Sequence, residues 1–375
     1  MLRDFRNYQR LDVSFPAGII VLTGVNGAGK SNLLEAIHYL SYLKSFRPAR
    51  DREVIRHRAP LAVIEAWLED SRGRPLNARL VLKDGARHVR LDGNPVTRFK
   101  DFIGRLHSQF FFPGDLTLIM GDPRVRREVL DLELMRLKPG LSDVFQRYAN
   151  ALKQRNQVLK LVYPEPGERR NATKLTNTLA AYTEQLVVTG SQMMRERRGL
   201  VRVLNGLLEP LYARLAPPKG EAVSLKYHSQ VELEPDAQVA DNYRLALEAA
   251  AEAEANLRFT TVGPHRDDLV FLLDGRRDLR RYGSQGQLRS AALTFRLALA
   301  ALSAERQADQ PLVLLDDALS EMDDGRKQRL LKLCQQHPQV FLTSASKREV
   351  QLIAPLAGAV YQVHGGSLQC VEGQV

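Results

Sequence analysis

Gly18-Ile19-Ile20-Val21-Leu22, followed after Thr23 by Gly24-Val25-Asn26-Gly27-Ala28-Gly29-Lys30-Ser31, is the stretch that decides the fold. The first five residues are apolar and mostly β-branched, the profile of a buried strand. Downstream, Asn32–Leu43 repeats Leu33, Leu34, Ile37 and Leu40 at helical spacing. Between strand and helix, glycines let the backbone turn so that successive N–H groups face one point, and the helix adds its positive end. The eight residues from Gly24 fit G-x-x-x-x-G-K-[ST] without a mismatch. The pattern predicts a phosphate cradle made of Gly24, Asn26, Gly27, Ala28, Gly29, Lys30, Ser31 and Asn32. Lys30 supplies a point charge for the β- and γ-phosphates of ATP, and the Ser31 hydroxyl can ligate Mg²⁺. A plain glycine turn would need neither the strand before nor the helix after.

A nucleotide cradle needs a second half, and Pro311-Leu312-Val313-Leu314-Leu315-Asp316-Asp317 supplies one. Asp316, at the end of an apolar strand, is the candidate Mg²⁺ ligand; Asp317, one position on, is placed to orient or deprotonate water. Taken alone, the two acids would also read as a strand running into a helix N-cap. One helix upstream stands Gly283-Ser284-Gln285-Gly286-Gln287. Alone it is a small polar turn with a capping residue. Exposed amides with Ser284 at a helix N-terminus also make an anion site that could touch a γ-phosphate. A phosphate loop near the N-terminus and a serine-glycine loop near the C-terminus are the arrangement of ABC-type ATPases, where the second loop of one subunit covers ATP held by another.

The rest of the chain supports an α/β class with two parts. Leu61–Arg98 reads as an antiparallel meander, with Asp84-Gly85 and Asp92-Gly93 as hairpin turns. His107–Pro113 (HSQFFFP) is a further strand. Asp122–Asn256 is mainly helical: Arg124–Arg136, Leu141–Val162 and Asn171–Leu215, the last stopped by Pro217-Pro218, then Asp236–Asn256. β-character returns over Leu257–Asp274, with a third turn at Asp274-Gly275. Alternation follows: helix Gly286–Arg306, strand Pro311–Leu315, helix Asp324–His337, strand Gln339–Thr343. The expected architecture is an ABC-ATPase head, a parallel sheet with helices plus an antiparallel β subdomain, over residues 1–120 and 258–375. An inserted, mainly helical lobe occupies 121–257.

At this level the chain resembles the RecF family of bacterial recombination-repair ATPases, relatives of the SMC and Rad50 heads, from end to end. The residues that carry the resemblance are Leu2–Tyr8 (LRDFRNY), Lys44–Arg47 (KSFR), Gly121-Asp122-Pro123 with Arg126, Arg127 and Asp131, Gly263–Asp268 (GPHRDD), the Ser284–Gln287 loop, and Leu315–Asp317 continuing through Ser320-Glu321-Met322-Asp323. The resemblance implies phosphate and Mg²⁺ roles for Lys30 and Ser31, Mg²⁺ for Asp316, water for Asp317, and cover from a second copy through Ser284, Gly286 and Gln287. Gln109, before the phenylalanine run, is the candidate γ-phosphate sensor. It further implies a slow DNA-dependent ATPase whose ATP-induced dimer clamps double-stranded DNA and single-strand/double-strand junctions. With RecR and RecO partners it would help load RecA, and hydrolysis would release the clamp.

Composition agrees with an acidic partner. The chain has 375 residues and a formal charge of +11, with 44% hydrophobic and 26% charged residues, the balance of a globular protein that attracts polyanions. Basic clusters at Arg124, Arg126, Arg127; Lys153, Arg155; Arg195, Arg197, Arg198, Arg202; and Arg276, Arg277, Arg280, Arg281 predict a phosphate-backbone track. No base-reading motif stands out, so binding should be independent of sequence. The two cysteines, Cys334 and Cys370, form no framework, the N-terminus carries early charges, and no apolar run reaches membrane length. The expectation is a cytoplasmic protein. Three other classes fit fragments of this pattern: a transporter motor subunit, which would need a switch histidine and a membrane partner; an SMC-like architectural ATPase, which would need a long heptad insert; and a small-molecule kinase.

Overall fold

The computed structural model describes residues 1–47, 49–69, 73–163, 172–216, 221–307, 310–320 and 322–373. Pro217-Pro218, Asn171 and Glu321 lie outside the described residues. In chain order the strands are β1 (Leu2–Phe5), β2 (Tyr8–Leu11), β3 (Gly18–Thr23), β4 (Leu61–Glu69), β5 (Pro75–Lys83), β6 (Ala86–Leu91), β7 (Asn94–Val96), β8 (Ser108–Phe111), β9 (Val223–His228), β10 (Asp268–Leu273), β11 (Arg277–Asp278), β12 (Leu312–Leu315), β13 (Gln339–Ser344), β14 (Ala357–His364) and β15 (Ser367–Gly373). They form three sheets, ordered β2-β1-β4-β5-β6-β7, β15-β14-β3-β13-β12-β8 and β11-β10-β9.

The residues group into two compact units: Met1–Leu116, Leu207–Val223 and Gly283–Val375 in the first, Thr117–Gly206 and Ser224–Tyr282 in the second. This division differs from a lobe ending at residue 257. Residues 258–282 join the second unit because β10 and β11 pair with β9 rather than with either large sheet. Residues 207–223 join the first.

In the first unit β14, β3, β13, β12 and β8 run parallel, and β15 returns antiparallel at the edge. Such strands are covered on both faces, which is why β3 and β13 are apolar throughout their middles. Helix Lys30–Tyr42 buries Leu33, Leu34 and Leu40 in one core with Ile20, Leu22, Phe110 and Phe341. The same core takes Ala62, Ile64, Leu80 and Val89 from the inner face of the antiparallel sheet. The turns at Asp84-Gly85 and Asp92-Gly93 have positive φ at both central residues (52° and 77°, 49° and 78°). That is the mirror-image turn whose twist matches the flanking strands, so Asp-Gly fixes the register there. Together these features are an ABC-ATPase head with an antiparallel β subdomain and a mainly helical insertion.

The second unit is built on helices Pro123–Leu137, Leu141–Val162 and Ala172–Leu215, the last belonging to this unit through Gly206. Its small core gathers Val187, Met194, Val231, Leu233, Val239, Tyr243 and Leu247. The Ala-rich stretch expected as one helix is two, Val239–Ala249 and Ala251–Leu257, after a 3₁₀ turn at Asp236–Gln238. Of the expected β segment 257–274 only Asp268–Leu273 is strand; Gly263 at φ 130° belongs to the turns before it.

Candidate functional site

The phosphate loop is shaped by contacts that only glycine permits. Gly24 has φ 147°, and a Cβ there would lie 2.4 Å from the Val363 carbonyl oxygen; at Gly29, φ 119°, it would lie 2.6 Å from Asn7 Nδ2. Asn7 is the loop's outer brace: its Nδ2 donates to Ala28 O at 2.9 Å, and its Oδ1 accepts from Asn32 Nδ2 at 2.9 Å. Tyr8 Oη donates to Gly29 O at 3.0 Å. Lys30 folds over the loop, its ammonium donating to Gly24 O at 2.6 Å and Val25 O at 3.0 Å. Burial pushes its pKa down, while Asp316 and Asp317 pull it back up.

Sheet order brings the two halves together. β13 lies between β3 and β12, so Thr343, near its C-terminal end, sits between the loop after β3 and the acids after β12. Asp316 Oδ1 accepts from Ser31 Oγ at 2.8 Å and from Thr343 Oγ1 at 2.7 Å, although Ser31 and Asp316 are 285 residues apart in sequence. Thr343 Oγ1 in turn accepts from the Asp317 N–H at 2.9 Å. Asp317 has φ 51°, a left-handed conformation that costs most residues free energy and costs aspartate less. Burial raises its pKa, and the charges of Asp316 and Glu349 raise it further, against a hydrogen bond from Ser320 that lowers it.

An open cleft of about 370 Å³ is lined by Asn26, Gly27, Gly29, Lys30, Ser31 and Asn32 on one side and by Asp316, Asp317, Thr343 and Ala345 on the other, with Arg47 and Pro113 at its rim. Arg47 was not singled out by motif reading, though its segment was. Its Nη1 donates to Asn32 Oδ1 at 2.9 Å and lies 3.5 Å from Glu35 Oε2. Glu35 is fully buried and also accepts from Arg6 at 2.6 and 2.9 Å and from Ser45 Oγ at 2.6 Å. This network ties the 45–47 segment and the turn after β1 to the first helix. A second open cleft, about 790 Å³, shares Asn32 and carries Arg6, Asn7, Arg52, Arg56 and Arg58.

Donors at the first cleft fit Mg²⁺ held jointly with phosphates: one hydroxyl, Ser31, against one carboxylate, Asp316. Among the described residues no group of three or more His, Cys, Asp or Glu could hold a metal alone.

The other expected site residues stand elsewhere. Gln109 does not line the cleft; it is buried on β8 with Nε2 3.4 Å from Tyr42 Oη. Ser284, Gly286 and Gln287 do not line it either. They cap helix Gln285–Gln307: the Ser284 N–H donates to Gln287 Oε1 at 2.8 Å, and Gln287 N–H to Ser284 Oγ at 3.3 Å. Gln287 Nε2 also reaches Glu221 at 2.9 Å.

The expected basic track on the second unit is partly spent internally. Arg197, 2% exposed, forms a two-pronged pair with Asp131 (2.7 and 2.8 Å) and donates to Pro264 O at 2.6 Å. Arg126 pairs likewise with Asp268 at 2.7 and 2.9 Å, and Arg155 with Glu254 at 2.6 Å. Arg127 donates to Asp267 O, and Arg198 is engaged by Leu233, Glu234 and Asp236. Lys153, Arg202, Arg276, Arg280 and Arg281 are exposed.

The family described as RecF/RecN/SMC N terminal domain matches residues 1–367. The DNA replication and repair protein RecF of Halalkalibacterium halodurans is 34% identical over 98% of this chain and 97% of its own length. That of a Synechococcus strain is 36% identical over 97% of this chain and 95% of its own. The solved ATP-bound form of a recombination mediator RecF of the RecFOR pathway superposes with a TM-score of 0.88 at 26% identity, covering 99% of this chain and 96% of that one. A Pyrococcus furiosus Smc head, at 17% identity and a TM-score of 0.56, shares the fold. With a cradle, a paired acid strand and a match over almost its whole length, the chain belongs to the RecF family of the RecF/RecN/SMC group.

Proposed function

We propose that this chain binds ATP with Mg²⁺ between the phosphate loop and the Asp316 strand, and that the Ser284 loop of a second copy closes the site. The observation that carries the reading is the Ser31–Asp316–Thr343 contact, which joins the two motif halves at one point, while the Ser284 loop caps its own helix away from that cleft. A serine loop at a helix N-terminus that does not line its own chain's cleft is suited to cover another chain's nucleotide.

In this reading Lys30 and the loop amides hold the β- and γ-phosphates, and Ser31 and Asp316 hold the metal. Mg²⁺ supplies charge neutralisation across the phosphate oxygens. Asp317 orients water for attack and accepts its proton. Arg47, at the cleft rim, is a donor for phosphate or ribose oxygens, and the nucleoside extends toward the cleft that holds Arg6 and Asn7. The ATP-loaded dimer clamps DNA near gaps and junctions, acts with RecR- and RecO-like partners in loading RecA, and opens on slow hydrolysis. Among the described residues no helix is long and apolar enough to cross a membrane. The insert, broken into several helices, does not favour a long-armed architectural protein.

The test is Ser284→Arg, whose long cation would block closure without touching the phosphate loop. The variant should bind ATP with affinity within about threefold of the parent, yet fail to dimerise with it. Intact ATP-dependent dimers would rule out closure by the second copy.

A further inference from the structure

The outer face of the antiparallel sheet carries a pattern that the nucleotide site does not use. Strand pairing puts Arg10 opposite Arg3, Arg3 opposite Val63, Val63 opposite Val81 and Val81 opposite His88. The adjacent row runs Glu65, Arg79, Arg90 and Pro95, the next begins Trp67–Asn77, and the row on the other side holds Leu61, Lys83 and Ala86. Residues directly opposite share a face, and alternation sends Ala62, Ile64, Ala78, Leu80, Leu82 and Val89 into the core. The opposite face therefore gathers Arg3, Arg10, Arg79, Lys83 and Arg90, with His88 and Trp67.

These side chains are exposed, and Trp67, the single tryptophan of the chain, is 64% accessible. Among the described residues Arg10, Lys83 and Arg90 have no ion-pair partner, whereas Glu65 on this face is taken by Arg79 at 3.2 Å. From β2 to β6 the cationic rows cross four inter-strand steps, about 19 Å at about 4.8 Å each. A large aromatic ring is held out in water on a face that also carries exposed guanidinium groups. It suits a flexible polyanion with exposed π-faces.

We propose that this sheet face binds single-stranded nucleic acid, with phosphates along the Arg10–Arg3 and Arg79–Arg90 rows and a base stacked on Trp67. Single strands offer both features at once, whereas a duplex hides its base faces. The proposal rests on the reading that this chain binds DNA, and adds where the unpaired strand lies.

The single tryptophan makes the full-length chain its own reporter. Titrating a dye-labelled oligo(dT) of about twenty nucleotides, with ATP and Mg²⁺, should quench Trp67 fluorescence in step with the rise in dye anisotropy. Trp67→Ala should weaken binding about 5- to 150-fold, the range for one stacked base, and Trp67→Phe should restore most of it. Arg10→Glu with Arg90→Glu should weaken it at least tenfold and flatten the log-affinity salt slope by about 1.4, for two phosphates released. Circular dichroism melting of each variant checks that the sheet stays folded. Anisotropy that rises with unchanged fluorescence and parental affinity in all variants would overturn this surface while leaving DNA binding intact. Equal quenching by a blunt duplex would overturn the single-strand assignment. No binding of either DNA would sink the reading beneath it.

Discussion

Three arginines on the long helices of the second unit and two on the antiparallel sheet of the first look alike as charges and have opposite fates. Arg126, Arg155 and Arg197 are buried, each in close contact with a carboxylate of its own unit. Arg10 and Arg90 stand exposed on the sheet and, among the described residues, have no such partner. A buried guanidinium must be fully paired, because leaving it uncompensated costs several kcal/mol; an exposed one is free to meet a ligand. The units thus divide the polar work. In the first, Lys30, Ser31, Asp316 and Asp317 line an open cleft; in the second the buried pairs tie helices and the turn before β10 together.

This contrast predicts a double dissociation. Asp317→Asn should slow ATP hydrolysis by about 100-fold or more, the usual loss when a positioned proton acceptor is removed, with the melting temperature unchanged or slightly raised. Asparagine tolerates the φ of 51° and removes a charge that burial disfavours. A variant that hydrolyses at the parental rate would strip Asp317 of its role. Arg197→Ala should do the reverse, costing about 3–5 kcal/mol of stability by stranding Asp131, while the nucleotide affinity of the folded fraction is kept. Chemical denaturation with a fluorescent ATP analogue reads both; a loss under about 1 kcal/mol would show that the pair is not structural.

A smaller effect follows from His265, whose Nδ1 lies 2.6 Å from Tyr148 Oη and whose Nε2 lies 3.1 Å from Thr260 O. Burial pushes its pKa down to about 4 from an ordinary 6.5, and Arg266, Arg127 and Arg155 push the same way against the Thr260 contact. The neutral ring is the native form, so its stabilising share is whole above about pH 6.5 and fades as pH falls toward 4, by at most about 3 kcal/mol. His265→Gln should flatten the melting temperature against pH across that window; an unchanged slope would assign the acid sensitivity to other groups. Smallest of all, Arg202→Ala on the exposed side of the long helix should change stability by less than about 0.5 kcal/mol.

The cleft was legible because its chemistry demands residues at short, fixed spacing: Gly24 to Ser31 in one run, Asp316-Asp317 at one strand end. Thr343, Arg47 and Asn7 were not assigned as site residues, since each arrives from a distant segment and only the sheet order β3-β13-β12 brings Thr343 between loop and acids. Gln109 stands away from the cleft lining for a related reason. A glutamine beside three phenylalanines marks a strand, but which end of it meets the cleft depends on the pairing of β8 with β12, and Pro113 is the one that lines it. The burial of Arg197 did have a signal. Met194, Arg197, Val201, Leu204 and Leu208 recur at three- and four-residue steps, so Arg197 falls in the apolar stripe and not on the solvated face. Reading charge runs without helical phase hid that. The sheet-face pattern needed the register itself, because Arg3, Arg10, Arg79 and Arg90 become neighbours only across strands.

The most direct measurement is molar mass by light scattering on a sizing column, run with ATP, with ADP and with no nucleotide, on the parent and on Asp317→Asn. The account predicts a mass that doubles with ATP alone and, in the variant, a doubled mass that persists. A mass that stays monomeric with ATP in both proteins, while ATP is demonstrably bound, would contradict it.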